Sequence, residues 1–193
     1  MKLDIILAGV GGQGILSIST IIGEAAVKKG LFLKQAEVHG MSQRGGEVQS
    51  HLRLSDKPIF SDLIPFGKAH LIISVEPLES LRYLTFLRDD GCLITNSTPY
   101  VNISNYPVIN DVYNEIKKVK NHIIINADDI AKEIGSALVG NIVVLGSASN
   151  YMPFDYEDFV DAIKSVFENK GNKIVDLNIE ALKKGVSYST VRK

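Results

Sequence analysis

The chain opens with an apolar run over 3–8, then Gly9-Val10-Gly11-Gly12-Gln13-Gly14, then residues 15–28 with apolar side chains at 15, 18, 22 and 25. An apolar run broken by glycines and followed by helical periodicity predicts a strand, a tight loop and a helix. Small residues at 9, 11, 12 and 14 permit the turn and let backbone amides approach a phosphate, with the helix dipole behind it. This feature places the chain among α/β folds. Gly30 closes the helix, and 31–38 predicts a second strand. A strand–helix–strand unit of this size predicts a right-handed parallel crossover.

A length of 193 residues fits one domain spanning 1–193. There are 21 Lys and Arg against 22 Asp and Glu, so the basic excess of a broad nucleic-acid binder is missing. Cys92 is the single cysteine, which excludes an internal disulfide, and a Cys₄ zinc site or iron–sulfur cluster held by this chain alone. No apolar stretch reaches the ~18–20 residues of a membrane span. The first residues carry Lys2 and Asp4 around a short apolar run, unlike a secretory signal. A cytoplasmic protein is expected, with no nucleic-acid or membrane partner.

Residues 39–46 are rich in turn formers, and 47–54 then alternates. Val48, Ser50, Leu52 and Leu54 share one face, and Glu47, Gln49, His51 and Arg53 share the other. Period-two alternation predicts a strand with one polar face, which either meets water or lines a pocket. Further along, the pattern predicts a strand over 71–75, a helix from Pro77 to about 88, and a strand over 92–95. A loop over 96–106 and a strand over 122–125 follow. Helices are predicted over 127–134 and 136–149. Another is capped by Asp155 and closed by Gly171, and Asp176 caps a short terminal one.

Two segments carry chemistry. The glycines of the first loop serve either an anion or close packing of helix on sheet. A dinucleotide fold also wants an acid about 20 residues on, and Glu37 roughly fits, so a nicotinamide dehydrogenase stays open. The second segment is Glu37-Val38-His39-Gly40-Met41-Ser42-Gln43-Arg44-Gly45-Gly46. It should lie at the carboxyl edge of the sheet beside the first loop, where open α/β sheets bind ligands. Ser42 and Gln43 offer hydrogen bonds, Arg44 offers a planar fork for a carboxylate or phosphate, and Gly45 and Gly46 offer successive amides. The plainer reading is a polar hairpin with a solvated Arg44. His39, His51 and Glu47 lack a metal-ligand spacing and read as a polar network or a partner contact. His70 and His122 read as edge residues, and Cys92 as a buried structural thiol.

Taken together, Gly9–Gly14 and Glu37–Gly46 resemble the gamma domain of 2-oxoacid:ferredoxin oxidoreductases. The stand-alone form of similar length is a small (beta) subunit of indolepyruvate-type enzymes. The resemblance spans nearly the whole chain and takes in Glu76-Pro77-Leu78-Glu79, Asn96 and the run from Asn141 to Ala148. It implies a three-layer α/β/α sandwich with a mainly parallel sheet. It implies a complex that decarboxylates 2-oxoacids such as aryl pyruvates with coenzyme A and reduces ferredoxin. Thiamine diphosphate, Mg²⁺ and 4Fe–4S clusters then belong to a large alpha subunit, and no catalytic residue or metal is expected on this chain. Ligand contacts fall to Gly9, Gly11, Gly12, Gln13, Gly14, Ser42, Gln43, Arg44, Gly45 and Gly46. Supporting or partner-facing roles fall to Glu37, His39, His51, Arg53, Glu76 and Asn96. The isolated chain is expected to pair with a second copy. Two further classes remain: an adenylating enzyme of the ubiquitin-activating type, and a non-catalytic module that binds an anion or a partner.

Overall fold

The computed structural model describes residues 1–39 and 45–190, without the side chains of His39 and Thr190. Strand β1, Lys2–Val10, is buried from Leu3 onward because both its faces are covered. Ile5 and Leu7 enter one core, and Ile6 and Ala8 the other. It pairs in parallel with β4, Ala69–Ser74, and antiparallel with β3, Glu47–Ser55. With β2 (Phe32–His39), β5 (Leu87–Asn96) and β6 (Asn121–Ile125), the sheet order is β2-β3-β1-β4-β5-β6. Only β3 runs against the other strands, so the expected mainly parallel sheet is present.

The simple crossover is corrected in one respect. β2 points the same way as β1, yet its ladder partner is β3, with Glu37 opposite Ser50. The returning arm of the β2–β3 hairpin takes the place beside β1, with Gly9 opposite Val48 and Lys2 opposite Ser55. β3 can do this because both its faces are buried and both its edges pair.

Helices α1 (Ile15–Lys28), α4 (Ala127–Ile134), α5 (Gly140–Ala148), α6 (Tyr156–Phe167) and α7 (Asn172–Thr190) cover one face. Helices α2 (Pro77–Arg82) and α3 (Ile109–Ile116) cover the other, with Val112 and Ile116 against Ile72 and Leu93. This is the expected three-layer α/β/α arrangement. α5 is buried on nearly every side, which explains its continuous apolar run.

Three expectations change. The helix begun by Pro77 ends at Arg82, because Tyr83 drops into the core and Leu87 already pairs with Ala69 in β5. The last helix starts at Asn172, four residues before Asp176, and runs 19 residues because it lies along α5. His70 lies in central strand β4, where its Nδ1 accepts the Asp4 amide at 3.0 Å. The α5–α7 crossing is set by two facing glycines. A Cβ on Gly185 would overlap the Val143 carbonyl oxygen, and one on Gly146 the Leu182 carbonyl oxygen. Among the described residues, no helix is long and apolar enough to cross a membrane.

Candidate functional site

From β1 the chain leaves toward β2 on one side, while β4 and β5 lie on the other. The strand order therefore turns at the β1/β4 boundary, where doubly wound sheets leave a crevice at the carboxyl ends. The glycine loop sits there. Gln13 folds back into it, its Oε1 accepting the Val10 amide at 2.8 Å. Gly14 is the N-cap of α1 in the left-handed region, with no capping side chain and no acidic residue in the first turn. No side chain caps the opening amides of α1, of which that of Ser17 turns back to the Gly14 carbonyl at 3.1 Å, and the positive end of its dipole lies at the glycine loop.

The glycines divide by role. A Cβ on Gly9 would overlap Val75, and one on Gly14 would meet Asn141, so both serve close packing. Gly12 takes a φ of +99° with open space around it. Gly11 is laced to the hairpin, its amide donating to the Gly46 carbonyl at 2.8 Å and its carbonyl accepting the Gly45 amide at 3.5 Å. The two sequence segments thus meet, as expected, at one edge. Ser42, Gln43 and Arg44 lie outside the described residues, as does the side chain of His39.

Beside the loop lies a cavity of about 470 Å³ lined by Gly12, Gln13, Gly14 and Ser17 together with Asn96, Asp128, Asn141, Lys170 and Asn178. Asn141 donates to the Gly14 carbonyl at 3.0 Å, and its Oδ1 is buried with no partner among the described residues. The start of α1 and the Asn141 amide beside Gly14 thus form one polar corner of the cavity, suited to an anionic group. Asp128, Lys170 and Asn178 were not foreseen, since they come from distant helices. Asn141 had one signal, a polar residue at the head of an apolar run.

Glu76 and Asn96 are internal ties. The Glu76 carboxylate, 1% exposed, caps α2 through the Glu79 amide and accepts the Tyr100 amide and the Tyr106 hydroxyl. Asn96 accepts the Ala127 amide and donates to Asp128, joining β5 to α4. Arg53 is buried, with its guanidinium on Asp4 at 2.8 Å and on the Ser61 and Leu63 carbonyls. The polar face of β3 therefore lines the interior under the loop over 56–68. Glu37 stands in β2, two strands from the glycine loop, roughly 10 Å at the usual strand spacing. That separation removes the ribose-binding acid of a nicotinamide fold. Among the described residues no cluster could hold a metal, and Cys92 is buried with its thiol pushed up by burial.

His51 is buried, and its Nδ1 accepts the Ile64 amide at 3.0 Å. Burial, then the neighbouring Arg53 charge, lowers its pKa, and burial chiefly lowers that of His70. A base whose folded pKa is depressed leaves stability intact above its unfolded value and costs stability as pH falls below it. The melting temperature should therefore fall as pH drops below about 6.5, the ordinary histidine value. The fall should be shallower in His51→Asn. An equal slope in both proteins would exclude His51 as a source.

The family model for pyruvate ferredoxin/flavodoxin oxidoreductase matches residues 4–188. A protein named indolepyruvate oxidoreductase subunit IorB from Archaeoglobus fulgidus is 42% identical, covering 98% of this chain and 96% of its own. Its namesake from Methanothermobacter thermautotrophicus is 34% identical, covering 96% of each chain. The keto/oxoacid ferredoxin oxidoreductase gamma subunit of Geobacter sulfurreducens shares the fold at a TM-score of 0.69 and 23% identity, covering 98% of this chain and 99% of its own. A 2-oxoglutarate:ferredoxin oxidoreductase chain from Magnetococcus marinus superposes at a TM-score of 0.77 and 19% identity, over 98% of this chain but 31% of its own. With that match running nearly end to end and relatives this similar over their whole length, the chain belongs to the pyruvate ferredoxin/flavodoxin oxidoreductase family.

Proposed function

We propose that this chain is a non-autonomous subunit of an indolepyruvate-type 2-oxoacid:ferredoxin oxidoreductase, and that its carboxyl-edge loops receive coenzyme A. The observation that carries this reading is the lacing of Gly11 to Gly45 and Gly46 beside the start of α1, which no side chain caps. It brings two anion-suited segments to one crevice. The relatives add the enzyme class: two bear indolepyruvate oxidoreductase names, and the Magnetococcus structure is described with coenzyme A and succinyl-CoA bound.

This chain's part is to bind and orient. Amides at the start of α1, the turn at Gly45 and Gly46, and Arg44 would share the phosphate charge. Fixing the phosphates fixes where the thiol end reaches, so the chain contributes positioning rather than proton transfer. The residues present do not suit an iron–sulfur cluster: one buried thiol cannot ligate it, and no group of three or more His, Cys, Asp or Glu among the described residues could hold a metal ion. Thiamine diphosphate, Mg²⁺ and the 4Fe–4S clusters are accordingly assigned to a larger partner subunit, which also delivers electrons to ferredoxin. The purified chain should be colourless and should not reduce a dye when given indolepyruvate and coenzyme A. A brown protein with turnover would overturn the subunit reading.

A further inference from the structure

We propose that the loop over 97–108 is a strap that positions the Gly45–Gly46 turn, with Asn102 and Glu76 as its positioning residues. The inference rests on the reading that the laced loops receive an anionic ligand, and it names what holds them in place. The strap carries little buried apolar surface: Tyr100, Val101 and Val108 are 45%, 69% and 66% exposed. Hydrogen bonds hold it instead. At its start the Ser97 amide donates to the Ile125 carbonyl at 2.8 Å, and the Tyr113 hydroxyl of α3 donates to the Ser97 carbonyl. In its middle one Glu76 oxygen accepts both the Tyr100 amide and the Tyr106 hydroxyl. From this fixed frame Asn102 reaches out, and its Nδ2 donates to the Gly45 carbonyl at 2.6 Å.

The geometry makes Glu76 a common anchor. It is buried at the head of α2, at the carboxyl end of β4, so its position follows the sheet. The hairpin turn has a second tether on the same side, where Arg82 joins Glu79 at 3.0 Å and Glu47 at 3.2 Å. Asn102 differs from that tether in touching the turn itself, at Gly45, whose amide makes one of the lacing bonds with Gly11. A strap held chiefly by hydrogen bonds, with little apolar packing, opens locally at small cost. Each strap bond therefore shifts the fraction of time the turn is formed.

The test is amide hydrogen exchange on the full chain, followed by kinetics of the assembled enzyme. Asn102→Asp keeps the shape, removes the donor and faces the Gly45 carbonyl with an acceptor. Tyr106→Phe loosens the strap at its Glu76 anchor without touching the turn. Both should speed exchange at the Gly11 and Gly45 amides, about 3- to 10-fold for Asn102→Asp, the size expected for one hydrogen bond. Exchange in β1 and β4 should stay unchanged. The double variant should show less than the product of the two effects, because both act through one strap. In the assembled enzyme the KM for coenzyme A should rise by a similar factor with kcat unchanged. Unchanged exchange at Gly11 and Gly45 in both variants overturns the strap. Faster exchange with an unchanged KM supports the strap and overturns the coenzyme A reading beneath it.

Discussion

Gly185→Ala should destabilise the protein by about 3 kcal/mol or more, at the upper end of overpacking penalties. For a domain of this size that lowers the melting temperature by roughly 6–12 °C. The cause is local. A Cβ at 185 would overlap the Val143 carbonyl oxygen and sit 2.9 Å from the Cα of Gly146. Both neighbours are backbone of a fully packed helix, so no side chain can swing aside and α7 must move bodily from α5. Asn141 and Val144 of α5, with Ile174, Leu177 and Asn178 of α7, line the cavity beside the glycine loop. The variant should therefore disturb the cavity as well as the fold. Thermal unfolding followed by circular dichroism checks this, with exposed Ser187→Ala as a control expected within about 0.5 kcal/mol of the parent. A Gly185→Ala protein melting with the parent would show that the helices separate cheaply.

Arg44→Ala should weaken coenzyme A use by about 10- to 150-fold in the assembled enzyme. A bidentate charge-assisted contact is worth roughly 1.5–3 kcal/mol, and each 1.4 kcal/mol is about tenfold. Stability should change little, because the base of the hairpin is held independently through Gly11, Asn102 and the Arg82 bridge to Glu47. Arg44→Lys should recover only a small part, since an ammonium lacks the planar fork. Measuring the coenzyme A dependence of both variants decides it. Wild-type behaviour in both would leave the hairpin as a plain connection.

Much of this arrangement is legible in the sequence. The strand, glycine loop and first helix follow from one run of residues, and the meeting of the two glycine-bearing segments follows from the carboxyl-edge rule. The place of β2 does not. Local periodicity cannot tell whether the next strand pairs beside β1 or is displaced by the arm of its own hairpin, and here β3 takes that place. Helix α3 is legible in hindsight, since Ile109, Val112, Tyr113 and Ile116 stand at i, i+3, i+4 and i+7 and pack on the core, but its eight residues make the stripe short. Asp176 misplaces the start of α7 because, although a capping residue type, it lies inside a helix that already begins at Asn172, directly after Gly171.

The site was legible in its loops and illegible in its walls. Gly12, Gln13 and Gly14 line the cavity as the glycine pattern suggests. Asp128, Lys170 and Asn178 reach it from helices more than a hundred residues away in sequence, and nothing in their own neighbourhoods marks them. Glu76 and Arg53 drew notice as charged residues in telling positions. Both are tied within the fold, where a buried charge with several donors or acceptors is stable.

The most direct measurement is add-back of this chain to the separately purified large subunit. The assay follows ferredoxin reduction with indolepyruvate as coenzyme A is varied. The large subunit alone should show little turnover, and adding this chain in equal amount should restore saturable coenzyme A dependence. The same chain carrying Arg44→Ala should assemble yet need far more coenzyme A. Full coenzyme A-dependent turnover by the large subunit without this chain would contradict the account.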